Sequence, residues 1–269
     1  MQIATLEQFL ALRFRGMGRI RKFLRGPNPF TLVRRRTADG ISFALDPESY
    51  LEWFIFKNGY YEREVLDAAL RYLPEHGVFW DVGANIGLHA LTIKRLRPDV
   101  SVYAFEPVPF TAARFLLNQS LARAEVELFP IALSDSQGYA KISMKFGGNS
   151  GLSSLNPWPN VSYDGVANCR TERADFLIES DVVPSPSVIK IDVEGVELKV
   201  IAGLGRHLFS TDLKAVIFES DGQLYDEISA LLAKGGLRCS PIPPTNPQET
   251  SKTLNFIAHR EADALAAGE

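Results

Sequence analysis

The sequence predicts an α/β domain built on a mostly parallel sheet with helices on both faces, and three observations carry that expectation. An apolar run closing on an acid, Val78-Phe79-Trp80-Asp81-Val82, passes through a turn holding Gly83 and Gly87 into Leu88-His89-Ala90-Leu91-Thr92-Ile93. That is the pattern of a buried strand, a tight turn and a helix whose N-terminus can meet a ligand. Further apolar segments of strand length alternate with segments of helical period, as in doubly wound sheets. The last two apolar runs, 237–242 and 254–258, flank a Pro-rich turn and read as an antiparallel hairpin.

Length and composition agree with one large domain. A chain of 269 residues with a 46% hydrophobic share can bury a sizeable core. A net charge of −3 gives the whole chain no bulk attraction to nucleic acid or anionic lipid, and no nucleic-acid partner is expected. Cys169 and Cys239 lack C-x-x-C spacing and suit a reducing compartment better than a disulfide scaffold. His76, His89, His207 and His259 are scattered, without the spacing of zinc ligands. No run of about 18 apolar residues is present, so no transmembrane helix is expected. The N-terminus does not read as a signal peptide, and a cytoplasmic location is the expectation.

Residues 1–40 differ from the rest. Nine are Arg or Lys, against Glu7 and Asp39, a net of +7. Leu6, Phe9, Leu10, Phe14, Met17, Ile20, Phe23 and Leu24 recur at helical spacing until Gly26-Pro27-Asn28-Pro29 ends the pattern. A basic amphipathic helical extension is expected here, touching a membrane surface or an acidic partner, or else packed as a cap with its charges in water. Gly16 and Gly18 weaken a free helix and favour the cap.

The main domain is expected over 41–260. Residues 64–73 read as a helix, with Val65, Leu66, Ala69 and Leu70 on one face and Pro74 beyond its end. Strand 78–82 is followed by helix 86–96, strand 100–105, helix 110–121 and a short strand 125–129. The pattern breaks over 135–185, where Gly147-Gly148-Asn149-Ser150-Gly151 and Asn156-Pro157-Trp158-Pro159 mark a loop-rich insertion. It resumes with strand 187–193, helix 195–204, strand 213–219 and helix 223–234, and the tail 261–269 is expected to fray.

The chemistry concentrates at strand ends. Asp81 closes its strand at the mouth where α/β sheets bind ligands. Gly83 permits a sharp turn and the close approach of a nucleotide, so Gly83→Val is expected to abolish cofactor binding while leaving much of the fold. Asn85 stands where a dinucleotide-binding G-x-G-x-x-G needs glycine, which argues against NAD. Phe105-Glu106-Pro107 ends the next strand on a carboxylate 25 residues after Asp81, where an acid commonly accepts hydrogen bonds from ribose hydroxyls. Pro107 removes a backbone donor, stops the strand and fixes where Glu106 points.

A third segment, Val188-Ile189-Lys190-Ile191-Asp192-Val193-Glu194-Gly195, puts Lys190, Asp192 and Glu194 on one face if the strand runs straight through. A lysine in an apolar strand needs a paired acid or an opening. Glu219 ends a further strand, expected to be adjacent. A structural ion pair would account for Lys190 alone, whereas four ionisable groups at one sheet mouth point to function.

In Asp81-Val82-Gly83-Ala84-Asn85-Ile86-Gly87, Phe105-Glu106-Pro107, Ala132-Leu133-Ser134-Asp135 and Lys190-Ile191-Asp192-Val193-Glu194-Gly195, with Gly59-Tyr60-Tyr61-Glu62 upstream, the chain resembles the FkbM-type S-adenosylmethionine-dependent methyltransferases. The resemblance covers residues 41–258. It implies a class I methyltransferase (Rossmann-like) fold of seven strands, one of them antiparallel. It also implies S-adenosylmethionine as cofactor and, as acceptor, a hydroxyl on a small molecule, sugar, glycan or natural product. By the same resemblance Gly83, Ala84, Asn85 and Gly87 lie beside the amino-acid and ribose portions of the cofactor, with Asp81 holding its ammonium directly or through water. Glu106, followed by Pro107, takes the ribose diol. Ile131 and Ala132 flank the adenine, and Ser134 or Asp135 reaches its polar edge.

A sulfonium donor is already activated, so the protein mainly aligns the acceptor oxygen, methyl carbon and sulfur. An alcohol must also lose its proton, and Asp192 and Glu194 are the leading base or orienting candidates, beside Lys190 and Glu219. His89 ranks lower, because a histidine one turn into a helix is more often packed than catalytic. Asp192, Glu194 and Glu219 are oxygen ligands suited to Mg²⁺ or Ca²⁺, although no metal is expected.

Acceptor recognition is expected in residues 144–170. Asn149 and Ser150 offer mixed donors and acceptors, and Trp158 a flat apolar face, which suits a polyhydroxylated ring. An ordinary surface loop has the same composition. Two other readings stay open. An NAD or nucleotide-sugar oxidoreductase uses a similar sheet, but its glycine fingerprint and a Tyr-x-x-x-Lys pair are missing. A module that binds S-adenosylmethionine, or a partner through residues 1–40, without turnover is not separated from an enzyme by sequence.

Overall fold

The structure, a computed structural model, describes residues 32–145, 150–220, 222, 224–245 and 254–260. The amphipathic pattern expected before residue 32 and the tail 261–269 lie outside the described residues. In chain order, β1 (Val33–Arg36) and β2 (Ser42–Leu45) form a hairpin that leads to α1 (Tyr50–Asn58) and α2 (Arg63–Tyr72). Alternating units follow: β3 (Val78–Val82), α3 (Leu88–Leu96), β4 (Ser101–Phe105), α4 (Pro109–Ala122) and β5 (Glu127–Phe129). After β6 (Ala132–Ser134), β7 (Gly138–Met144), β8 (Gly165–Arg173) and α5 (Ala174–Glu179), the main pattern returns with β9 (Val188–Ile191), α6 (Glu197–Ala202), β10 (Ala215–Ser220) and α7 (Tyr225–Lys234). β11 (Arg238–Pro241) and β12 (Leu254–His259) finish the chain.

Strands that are apolar on both faces need cover on both sides, and β3, β9 and β10 are buried almost throughout. They lie at the centre of a seven-stranded sheet ordered β11-β12-β10-β9-β3-β4-β5. β12 runs antiparallel to both of its neighbours, and the pairs from β10 through to β5 are parallel. Alternation along β3 sends Phe79 into one layer, with Ile86, Leu91 and Phe115, and Trp80 into the other, with Phe105, Val200 and Ile228. This is the α/β architecture expected, with its C-terminal antiparallel hairpin. Among the described residues no helix is long and apolar enough to cross a membrane.

Two expectations are corrected, and one helix was not anticipated. The segment 135–185 is not mainly loop: β7 and β8 pair antiparallel from Gly138↔Thr171 to Met144↔Gly165, and β6 joins β8 in a three-stranded sheet. Only a thin apolar layer, with Ile142 and Cys169, covers it, so its strands lack the apolar run that marks buried ones. The boundary at residue 40 falls inside the β1–β2 turn, where the Thr37 amide donates to the Ile41 carbonyl at 2.8 Å, so the domain includes residues expected in a helical extension. Helix α1 was hidden because Leu51, Trp53, Phe54, Ile55 and Phe56 give it no clean polar face.

Candidate active site

β3, β4, β9 and β10 are mutually parallel or joined through parallel pairs, so their carboxyl ends share one edge of the sheet. A cavity of about 570 Å³ opens there. On one side lies the glycine turn. The amides of Gly83 and Ala84 both donate to the Phe105 carbonyl, at 2.9 and 3.1 Å, which ties the turn to the end of β4. Asn85 takes a left-handed conformation (φ 50) and its amide donates to Glu106 Oε2 at 2.9 Å. Glu106 Oε1 accepts the Val108 amide at 2.8 Å. Burial pushes the Glu106 carboxyl up to about 7, against the pull of these two amides. Each carboxylate oxygen has a second lone pair, so Glu106 can still accept hydroxyl donors. Gly83, Asn85, Glu106, Pro107 and Ala132 all line the cavity.

Other residues expected at the cofactor sit behind this surface. Asp81 is fully buried; its Oδ2 accepts the Ala90 amide at 3.0 Å, and its Oδ1 lies 3.7 Å from Lys190 Nζ. Its Oδ2 satisfies an orphan amide in the first turn of α3 and its Oδ1 faces a buried cation, and it lies off the cavity lining. Ala84 is buried, and Gly87 starts α3 with φ 90, packed against Phe115 and Leu91. Ser134 and Asp135 do not line the cavity. Pairing of β6 with β8 carries them away, Ser134 Oγ donates to Asp135 Oδ1 at 3.1 Å, and the Ser134 carbonyl packs on Gly203.

The acids stand on the other flank of the glycine turn from Glu106, beyond the ends of the neighbouring β9 and of β10. Asp192, Glu194 and Glu219 bring carboxylate oxygens within 4.8 Å of one another, an oxygen set able to hold a divalent cation. The adjacency expected for Glu219 follows from the β9–β10 register, which sets Ile217 opposite Lys190. The straight-strand alternation fails, because β9 ends at Ile191 and Glu194 turns left-handed (φ 58). Glu194 reaches the cluster through its loop, held by Ser154 Oγ donating to its carbonyl at 2.7 Å. Burial, then Asp192 and Glu219, push the Glu194 carboxyl up to about 9.

Lys190 is buried, with Nζ 3.0 Å from Asp192 Oδ2. Burial drives its ammonium down, but Asp192, Asp81 and Glu62 outweigh that and hold it charged. Lys190 thus pins Asp192 from beneath rather than lining the cavity. His89 is also buried and off the lining; burial and Lys190 lower its pKa to about 3, so it is neutral and packed.

The sequence reading left Tyr61 and Glu62 out of the site. Glu62 starts α2 left-handed (φ 49), accepts Asn255 Nδ2 at 3.4 Å and is pushed up to about 8 by burial and then by Asp192. Burial raises the Tyr61 hydroxyl as well. Both line the cavity with Tyr50 and Phe54 of α1, and the Gly59-Tyr60-Tyr61-Glu62 element was the signal for them.

The insertion closes the remaining side. Trp158 lines the cavity, its amide donating to Tyr163 Oη at 2.9 Å, while the Asn156 amide donates to Ser154 Oγ at 2.9 Å. Ser150 opens a 3₁₀ turn, Ser150–Leu152, whose Gly151 and Leu152 reach the lining. Asn149 lies outside the described residues.

Residues 81–239 match the methyltransferase FkbM domain. The hexuronic acid methyltransferase AglP of Haloferax volcanii is 36% identical over 155 residues, which is 58% of this chain and 61% of that protein. The 2-O-methyltransferase NoeI of Sinorhizobium fredii is 29% identical over 161 residues, 55% of this chain and 65% of its own. The chain therefore spans less than two thirds of the length of these relatives. Among solved structures, precorrin-6y C5,15-methyltransferase from Geobacter metallireducens aligns with a TM-score of 0.50 at 15% identity, covering 81% of this chain and 94% of that one, a likeness of fold.

Proposed function

The chain belongs to the FkbM methyltransferase family, and we propose that it uses S-adenosylmethionine to methylate a hydroxyl group of a sugar or another polyhydroxylated natural product. The observation that carries this reading is the arrangement around one glycine turn. A carboxylate held by two backbone amides flanks the turn beyond β4, a cluster of acids flanks it beyond β9 and β10, and all of them line one cavity. Glu106 would hold the ribose diol, with Ile131 and Ala132 against the adenine. The bound cofactor supplies an activated methyl group. The chain's own task is to orient the acceptor oxygen, keep water out and remove one proton.

Asp192 is the base candidate, since it is partly open to the cavity and fixed by Lys190 at 3.0 Å. Glu194, with its carboxyl near 9, is protonated at neutral pH and would donate a hydrogen bond to the acceptor. The relatives' names support a sugar-type acceptor in one case, a hexuronic acid methyltransferase, and transfer to oxygen in the other, a 2-O-methyltransferase.

The test is calorimetric titration with S-adenosylmethionine, S-adenosylhomocysteine and NAD, followed by mass spectrometry of reactions with a panel of hydroxylated acceptors. Binding of the first two without NAD, with a methylated product, is the expected outcome. NAD binding would restore the oxidoreductase reading, and cofactor binding without a product from the true acceptor would leave a binding module.

A further inference from the structure

Asp81, the acid expected to hold the cofactor's ammonium, is buried off the cavity lining beside the Ala90 amide and Lys190. An ammonium taken out of water into the cavity needs an acid beside it. Glu106 ends β4, and Ile131 and Ala132 lie beyond β5. With the ribose and adenine placed there, the amino-acid end is left the other flank of the glycine turn, towards β9.

Glu62 stands on that flank. Residues 73–77 join the end of α2 to the start of β3, so α2 runs back along the sheet and sets Glu62 at the carboxyl edge. The Glu62 carbonyl accepts a ring N–H of His89, in the first turn of α3, which ties it to the helix that the glycine turn opens. Asn255, opposite Glu219 on β12, donates to Glu62 Oε1 at 3.4 Å from another side. Glu62 is left-handed (φ 49, ψ 53), a conformation that a residue with a side chain keeps only where its surroundings over-determine it. One long hydrogen bond from Asn255 leaves lone pairs of the carboxylate to the cavity it lines. Burial and then Asp192 raise that carboxyl to about 8, and Lys190 offsets the rise only in part, so it lacks a full counter-charge.

The other acids on this flank are placed for other work. Asp192 already pairs with Lys190 at 3.0 Å. Glu219 ends β10, two strands from β3 in the sheet order. Glu194 is carried by a loop that Ser154 of the insertion holds. We propose, on the reading that the cavity takes S-adenosylmethionine, that Glu62 holds the ammonium of the cofactor's amino-acid end. Glu62 lies ahead of residues 81–239, the part that matches the family's domain, so the cofactor site extends beyond that domain to the start of α2.

The test is calorimetric titration of three ligands into the full chain and into its Glu62→Gln variant. S-adenosylhomocysteine carries the whole amino-acid end, its decarboxylated form keeps the amine alone, and 5′-methylthioadenosine lacks both groups. Glu62→Gln should weaken the first two about tenfold, the loss of a hydrogen bond between charged groups. It should leave 5′-methylthioadenosine at its wild-type affinity, which also shows that the variant is folded. Wild-type affinity of Glu62→Gln for S-adenosylhomocysteine would overturn the proposal. So would equal weakening of all three ligands, which marks a structural residue, or a loss confined to S-adenosylhomocysteine, which places Glu62 at the carboxylate. A wild-type chain that binds none of the three removes the cofactor reading itself, and the role of Glu62 with it.

Discussion

A Cβ added to Gly83 would stand 1.8 Å from the carbonyl oxygen of Asp192, so the glycine turn and the acidic loop after β9 are packed backbone to backbone. Gly83 also adopts φ +79, where side chains are strained. This corrects the expectation that Gly83→Val would remove cofactor binding while sparing the fold. Even Gly83→Ala must displace the Asp192 peptide, and with it the site's base candidate. A loss of at least about 2 kcal/mol is expected from overpacking and the left-handed conformation together. Urea denaturation checks it; a wild-type midpoint with weakened cofactor binding would show that the glycine serves the ligand alone.

Glu106 gives the cleaner cofactor variant. Glu106→Ala would strip the Asn85 and Val108 amides of their acceptor, whereas Glu106→Gln keeps one carbonyl oxygen in place. The Gln variant should bind S-adenosylmethionine about tenfold more weakly, the loss of a hydrogen bond to a charged acceptor. The ionised carboxylate is the better acceptor and its pKa lies at about 7, so wild-type affinity should fall as pH drops below that value. Calorimetry from pH 6 to 8.5 reads both effects, and a flat wild-type profile would count against the ribose assignment.

What the sequence revealed and what it hid divide along physical lines. β3, β9 and β10 were legible because an apolar run flanked by turn residues has few other uses. Glu106, Asp192, Glu194 and Glu219 were legible because a carboxylate at the end of such a run needs a reason. Asp81 carried the same signal but serves Ala90 and Lys190, a difference visible only once α3 and β9 are placed beside it. Glu62 reaches the cavity from before the first parallel strand, and only the Gly59-Tyr60-Tyr61-Glu62 element, which follows no strand of the sheet, hinted at that approach. β7 and β8 stayed hidden because long-range pairing, rather than an apolar face, makes them strands.

The raised acids make a further prediction about pH. Glu106, Glu62 and Glu194 titrate near 7, 8 and 9 in the folded chain without cofactor, above the ordinary carboxylate value of 4.5. Between the ordinary value and those pKa values the folded state binds more protons than the unfolded one, so stability falls as pH rises through that window. The Tm of the cofactor-free protein should therefore decline from about pH 5 to about pH 9, and Glu194→Gln should flatten the upper part of that decline. A Tm that climbs across the same range would mean that the acids are ionised and compensated in the fold.

Away from the cavity, Glu52 of α1 and Arg114 of α4 form a buried two-pronged pair at 2.6 Å, and Glu52 Oε2 also accepts the Asp46 amide. Glu52→Ala should cost about 3–5 kcal/mol, because it leaves the guanidinium buried without its counter-charge. Replacing both partners by Leu and Met should recover much of that loss. Denaturation midpoints of the single and double variants decide it, and a double variant no more stable than Glu52→Ala would show that the bonds of Arg114 to the Ala44 carbonyl, at 3.1 Å, and of the Asp46 amide to Glu52 matter more than the charges.

Trp158 offers the sharpest separation of acceptor from cofactor. It belongs to the segment that docks on the Glu194 loop through Ser154, and its ring edge lies 3.8 Å from where a Cβ on Gly195 would stand. Glu106, proposed above to hold the ribose, is anchored to the glycine turn instead, on other elements. Removing the indole should therefore leave cofactor affinity unchanged while the acceptor loses the flat face against which a sugar ring would rest. Trp158→Ala is expected to raise the acceptor KM about tenfold, the scale of one lost aromatic contact and its burial. Trp158→Phe should restore most of it if the contact is with a ring face, and less if the indole N–H is what matters. Wild-type KM and kcat in Trp158→Ala would mean that the acceptor is held by Tyr50, Phe54 and Tyr61 on the other wall.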